Sequence, residues 1–198
     1  MSKSSDSPAS LLASFVSGKE QEPRLLILSG PSRAGKSTWC QKFADQARTA
    51  GVLVGGIISP PVFIGGQKEG IDIVCQLSGE RRRLAERRMD RNEGFDTPNW
   101  RIDPGTLSWA NRKLVEMPSC DCLILDELGP LELLHGKGLQ AGLELVDSRK
   151  TSLTVVVIRP KLLPIAAERW PWGQVAMIAA GEMAERDSGE LLVSLEDE

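Results

Sequence analysis

Apolar residues fall into short unbroken runs separated by stretches with helical spacing. The runs RLLILS (24–29), VLVGGIIS (52–59), CDCLILDE (120–127), TSLTVVVIRP (151–160) and VAMIAA (175–180) show little in-and-out alternation, as strands covered on both faces do. Between them, KSTWCQKFADQARTA (36–50) carries Trp39, Phe43 and Ala47 at four-residue spacing and stops at Gly51, which predicts a helix. PGTLSWANRKLVEM (104–117) predicts a second, with Asp103 as N-cap, Pro104 in the first turn and Pro118 ending it. GKGLQAGLELVDSRK (136–150) reads as a third, weakened by three glycines. VFIGGQKEGIDIVCQL (62–77) reads as a hairpin around a glycine connection, NEGFDTPNW (92–100) as loop, and ELLVSLEDE (190–198) as a segment able to pair at a sheet edge. Strands alternating with helices through short connections predict an α/β fold with a mostly parallel sheet.

Composition bounds the rest. A chain of 198 residues, 41% hydrophobic and 26% charged, suits one globular domain, placed at 23–198 behind a partly ordered tail at 1–22. A net charge of −3 excludes a surface built throughout for nucleic acid. The run ERRRLAERRMDR (80–91) is the exception, with six arginines against three acids. It reads as a lid over a triphosphate, a polyanion patch, or a solvated strand-and-loop surface. No aromatic residue interleaves it, so a nucleic-acid partner is not expected. No run reaches the ~18 apolar residues of a membrane span, and LLASFV near the start is short for a signal peptide, so the expected compartment is the cytoplasm. Cys120 and Cys122, two apart, would share one face of a strand. With His135 the only histidine and no second Cys/His pair, reduced thiols are expected rather than a metal site.

The stretch SGPSRAGKST (29–38) carries the chemistry. Gly30, then Pro31, Ser32, Arg33 and Ala34, then Gly35, Lys36, Ser37 and Thr38 fit a phosphate-binding loop between a strand and a helix. Glycines let successive N–H groups point inward, and the helix N-terminus adds its dipole. Lys36 brings a point charge to the terminal phosphates, and the Ser37 hydroxyl suits Mg2+. The apolar run CLILDE ends in Asp126, a second Mg2+ contact, and Glu127 can polarise the attacking water. Arg159, at the end of TVVVIRP, is a candidate for stabilising charge in the transition state if its strand lies between the other two. Trp100, Trp109, Trp170 and Trp172 are candidates for stacking a base, whereas Trp39 packs its helix on the sheet.

Three blocks resemble the small nucleoside-triphosphatase family first known from thermophiles, which also has a vertebrate cancer-related member. They are SGPSRAGKST, GGIISPPVFIGGQKEGIDIVCQLSGERRRLA and CLILDELGPLELL, the middle one containing Ile71-Asp72-Ile73 where the family has its G-F-D-I segment. The resemblance implies a RecA-like P-loop NTPase sheet flanked by helices, with a β-hairpin insertion and an added strand between the loop strand and the acidic strand. It implies triphosphate binding by Gly30 to Thr38, Mg2+ at Ser37 and Asp126, water activation by Glu127, and slow hydrolysis of ATP, GTP and other triphosphates to diphosphate and phosphate. Two positions depart from the family: Ser32-Arg33 stands for Pro-Gly, and Pro130 for a Lys. The alternatives are a small-molecule or nucleotide kinase, or an adaptor resembling the GTP-binding proteins of molybdopterin-cofactor assembly. No Asn-Lys-x-Asp motif selects guanine, and nothing in the sequence identifies a protein partner.

Overall fold

A computed structural model describes residues 23–88, 99–126 and 128–179. Among these, nine strands form one sheet: β1 (Arg24–Ser29), β2 (Val54–Ile58), β3 (Pro61–Ile64), β4 (Gln67–Cys75), β5 (Arg81–Arg87), β6 (Trp100–Ile102), β7 (Cys122–Leu125), β8 (Leu153–Val157) and β9 (Gln174–Met177). The order is β6-β5-β4-β2-β7-β8-β1-β9, with β3 beside β4. The segment β2-β7-β8-β1-β9 is parallel, and β4, β5 and β6 extend it antiparallel. β8 is the added strand, lying between β1 and β7. The expected α/β P-loop architecture therefore holds.

The strands bury both faces. Leu26, Leu28, Val54, Ile58, Cys122 and Ile124 pack beneath α1 (Lys36–Thr49), which lays down Cys40, Phe43, Ala44 and Ala47. Trp39 stacks on Phe43 with centroids 5.0 Å apart on the flank of this cluster, as the four-residue spacing predicts. The alternate residues Leu25, Ile27, Ile57, Leu123 and Leu125 turn to the other face. There they meet α2 (Pro104–Val115), α4 (Gln140–Ser148) and α5 (Leu163–Arg169). Asp103 caps α2 as predicted, its Oδ2 accepting the Thr106 N–H at 2.8 Å.

Some expectations are corrected. The helix read over 136–150 spans only Gln140–Ser148, because Gly136 and Gly138 hold positive φ and bend the chain ahead of it. The short helices α3 (Pro130–Leu133) and α5 were not read: each has a proline in its first turn, Pro130 and Pro164, that passes for a breaker, although proline suits that place. Cys120 and Cys122 do not share a face: Cys122 is buried in the α1-side cluster, while Cys120, ahead of the strand, packs against the opposite one. Trp109 (3% exposed) and Trp170 (0%) are core residues and are removed as base-stacking candidates. Trp100 opens β6 rather than closing a loop. Residues 1–22, 92–98 and 190–198, to which a tail, a loop and an edge segment were assigned, lie outside the described residues.

β2 and β3 pair in succession with the same long partner: Ile58 sits opposite Val74, and Pro61 opposite Ile71. They act as one strand broken at Ser59-Pro60. The far part runs beyond the carboxyl ends of the parallel strands and turns back at Gly65-Gly66, both at positive φ, as a tight hairpin requires.

Candidate phosphate-binding site

The carboxyl ends of β1, β8 and β7 stand level: Leu28 pairs with Val157, and Val156 with Leu125. Ligands of open parallel sheets bind at this edge. The chain leaves β1 at Ser29, loops through 30–35, and enters α1 at Lys36 with Gly35 as N-cap. Gly30 is obligatory: at φ +152° a Cβ would lie 2.4 Å from the Ile178 carbonyl oxygen. Gly35 takes φ +89° to turn into the helix. Arg33 also sits at positive φ, +66°, a left-handed conformation that glycine adopts without strain.

Lys36 folds back over the loop, its Nζ donating to the carbonyl oxygens of Gly30 (2.9 Å) and Pro31 (2.7 Å). Its charge is thereby held at the mouth of the loop. Ser37 and Thr38 lie in the first turn of α1. Asp126 directly follows β7 and is 2% exposed. Its Oδ2 accepts the Ser59 N–H at 3.1 Å, and its carbonyl accepts the Ser59 hydroxyl at 3.4 Å. The break between β2 and β3 thus fixes the orientation of the acidic side chain. Cys40 lies within electrostatic reach of both Asp126 and Lys36. Burial pushes its thiol well up, the carboxylate adds to the shift, and the ammonium opposes it.

Arg159 follows β8, which does lie between β1 and β7, so the condition set for its role is met. Glu127 lies outside the described residues. Trp172 stacks under Arg149, 3.4 Å from guanidinium carbon to ring centroid, and Trp100 lies under Lys68 at 4.9 Å. The arginine run does not form a free lid over 81–87, since that stretch is strand β5. Arg81 and Arg83 engage Asp72, Arg82 covers Trp109, and Arg87 reaches Glu69.

Two contributors escaped the sequence reading. Ser59 was one, since a serine ending an apolar strand carries no signal of its own. The other is Glu132 (8% exposed), which accepts the N–H groups of Gly129 (2.7 Å) and Leu139 (2.9 Å) and ties down the segment following the acidic strand. The order Gly-Pro-x-Glu has capping-box spacing and was the available clue. Pro130, standing where the family has a Lys, opens α3 there.

Comparison with known proteins agrees with this geometry. A family model described as NTPase matches residues 25–169. The chain is 35% identical to nucleoside-triphosphatase THEP1 of Ignicoccus hospitalis over 130 residues, 66% of this chain and 73% of that one. It is 26% identical to the cancer-related nucleoside-triphosphatase of Homo sapiens over 154 residues, 72% of this chain and 80% of the relative. The solution structure of a human cancer-related nucleoside triphosphatase matches in fold, with a TM-score of 0.60 at 23% identity, covering 87% of this chain and 95% of that one. The chain, with its glycine loop after β1 and Asp126 after β7, belongs to this nucleoside-triphosphatase family.

Proposed function

We propose that the protein hydrolyses nucleoside triphosphates to diphosphate and phosphate, with Mg2+ and with broad tolerance of the base. The observation that carries this reading is the loop of residues 30–35 with Lys36 clasped over it, at the same sheet edge as the buried, oriented Asp126. Family membership supports triphosphate hydrolysis in general.

The donor chemistry fits Mg2+. Ser37 and Asp126 supply a hydroxyl and a carboxylate, which are hard oxygen donors. Among the described residues no group of three or more His, Cys, Asp or Glu is disposed to hold a metal alone. That sparse set suits an ion that keeps waters and takes phosphate oxygens as ligands. The nearby Cys40 thiol is pushed up by burial and stays protonated at neutral pH, so it does not compete as a soft ligand. When bound, Mg2+ neutralises charge on the β- and γ-phosphate oxygens.

The protein's own groups divide the remaining work. Backbone N–H groups of the loop and first helical turn cradle the phosphates, and Lys36 meets the terminal ones. Glu127, adjacent to Asp126 in sequence, orients the attacking water and accepts its proton. The water oxygen bonds to the γ-phosphorus as the bond to the bridging oxygen breaks, leaving diphosphate and phosphate. Arg159 offsets charge developing on the transferred group. Free cysteines, three of the four buried, suit a reducing compartment, the cytoplasm.

The test is phosphate release from Mg·ATP, GTP, CTP and UTP with no acceptor present, beside Lys36→Ala. Release from all four that the substitution abolishes is the expected result. Release only when an acceptor alcohol or phosphate is supplied would refute hydrolysis in favour of group transfer.

A further inference from the structure

The arginines of β5 do more than cover a sheet. Direct cross-strand partners share a face, and Ile58 belongs to the face covered by α1. Ile58 pairs with Val74, Val74 with Arg81, and Asp72 with Arg83. Arg81 and Arg83 therefore stand on the α1 face. They also stand at the carboxyl edge: Ile57 pairs with Leu125, so Ile58 is level with Asp126, Arg81 is level with both, and Arg83 lies two residues beyond. This is the edge and the face at which the phosphate loop enters α1. From β7 to β5 is three strand spacings, about 14 Å.

Both guanidiniums rest on one buried carboxylate, Arg81 Nε at 2.6 Å and Arg83 Nε at 2.5 Å from the two oxygens of Asp72. Both contacts run through Nε, in side chains that are 55% and 40% exposed, so the guanidiniums stay open to solvent. Two cations on one anion leave an excess positive charge, and ion pairs this exposed add little stability. Gly70 supplies a second observation. A Cβ there would meet Arg83 Nη1 at 2.7 Å and the Ala85 carbonyl oxygen at 3.1 Å, and Gly70 is absent from the glycines at positive φ, so close packing, the guanidinium included, distinguishes it. Asp72 in turn donates its N–H to Pro60 at 3.0 Å, next to the Ser59 that orients Asp126.

We propose that Arg81 and Arg83, braced by Asp72 and seated over Gly70, form a second anion site that takes the phosphate group of a small molecule bound beside the triphosphate. Inorganic phosphate and adenosine monophosphate, a small phosphate ester, are therefore suitable probes. The site goes beyond hydrolysis and is measurable without turnover.

The test is calorimetric titration with inorganic phosphate and with adenosine monophosphate, on Lys36→Ala protein so that the loop does not dominate. Residual binding is expected that weakens with added salt and falls at least five-fold on adding Arg81→Gln with Arg83→Gln. Gly70→Ala, which keeps every charge and displaces the Arg83 guanidinium, is expected to give a smaller fall in the same direction. Melting curves of each variant confirm that the fold is retained. Absence of residual binding, or residual binding that neither variant changes, would overturn the proposal. So would substitutions that affect only a single-stranded oligonucleotide and neither small probe.

Discussion

Arg33 ties the backbone of the phosphate loop to a measurable stability. At φ +66° it occupies the left-handed region, where a Cβ crowds the neighbouring carbonyl and costs ~1–2 kcal/mol. Glycine removes that penalty but gives back ~0.5–1 kcal/mol of unfolded-chain entropy. Arg33→Gly is therefore expected to stabilise the protein by ~0.5–1 kcal/mol, a rise in Tm of roughly 1–4 °C for a chain this size. Arg33→Ala keeps the Cβ and with it the strain, so its Tm should stay within ~1 °C of the parent. Nucleotide affinity should move differently. Both variants lose the same cation from the proposed phosphate-binding loop, so both should bind Mg·ATP several-fold more weakly at low salt, with the gap closing as salt is added. Differential scanning calorimetry and fluorescence titration give the two readouts. Equal melting temperatures for the Gly and Ala variants would show that the loop in solution does not hold residue 33 left-handed.

Two further outcomes follow from buried groups. Glu132→Ala leaves the N–H groups of Gly129 and Leu139 without their acceptor, an expected loss of roughly 2–5 kcal/mol in urea unfolding; Glu132→Gln, which keeps one acceptor oxygen, should lose about half of that. Burial raises the Cys40 and Cys122 thiols above their ordinary value of 9.0. The folded state thus holds protons that the unfolded chain releases, so stability is complete below that value and falls as pH rises past it. Urea midpoints measured from pH 8 to 10.5 should drop in the parent protein and flatten in Cys40→Ala combined with Cys122→Ala.

The parallel core was legible because strands buried on both faces cannot alternate, so RLLILS, CLILDE and LTVVV stand out unbroken. The loop was legible because its chemistry demands glycines at positions 30 and 35 before Lys36. Long-range pairing was not legible. Asp126 depends on the backbone N–H of Ser59, far away in sequence, and a main-chain donor has no residue-type signature. The arginine run read as an undivided block, whereas strand alternation sends Arg82 to Trp109 and Arg81 and Arg83 to Asp72. Trp109 and Trp170 looked available for a base only because aromatic content does not say which side of a helix meets the sheet. α5 escaped because its first-turn Pro164 is the same residue type as the breakers that end helices.

The most direct measurement compares Glu127→Gln with the parent protein, reading binding and turnover of Mg·ATP on the same samples. The substitution keeps size and hydrogen bonding but removes the carboxylate proposed to take the water's proton. Dissociation constants within about threefold of each other are expected, with phosphate release reduced by ~10²–10⁴. Unchanged release by Glu127→Gln would contradict a water-activating role, and hydrolysis at this site would then need a different base.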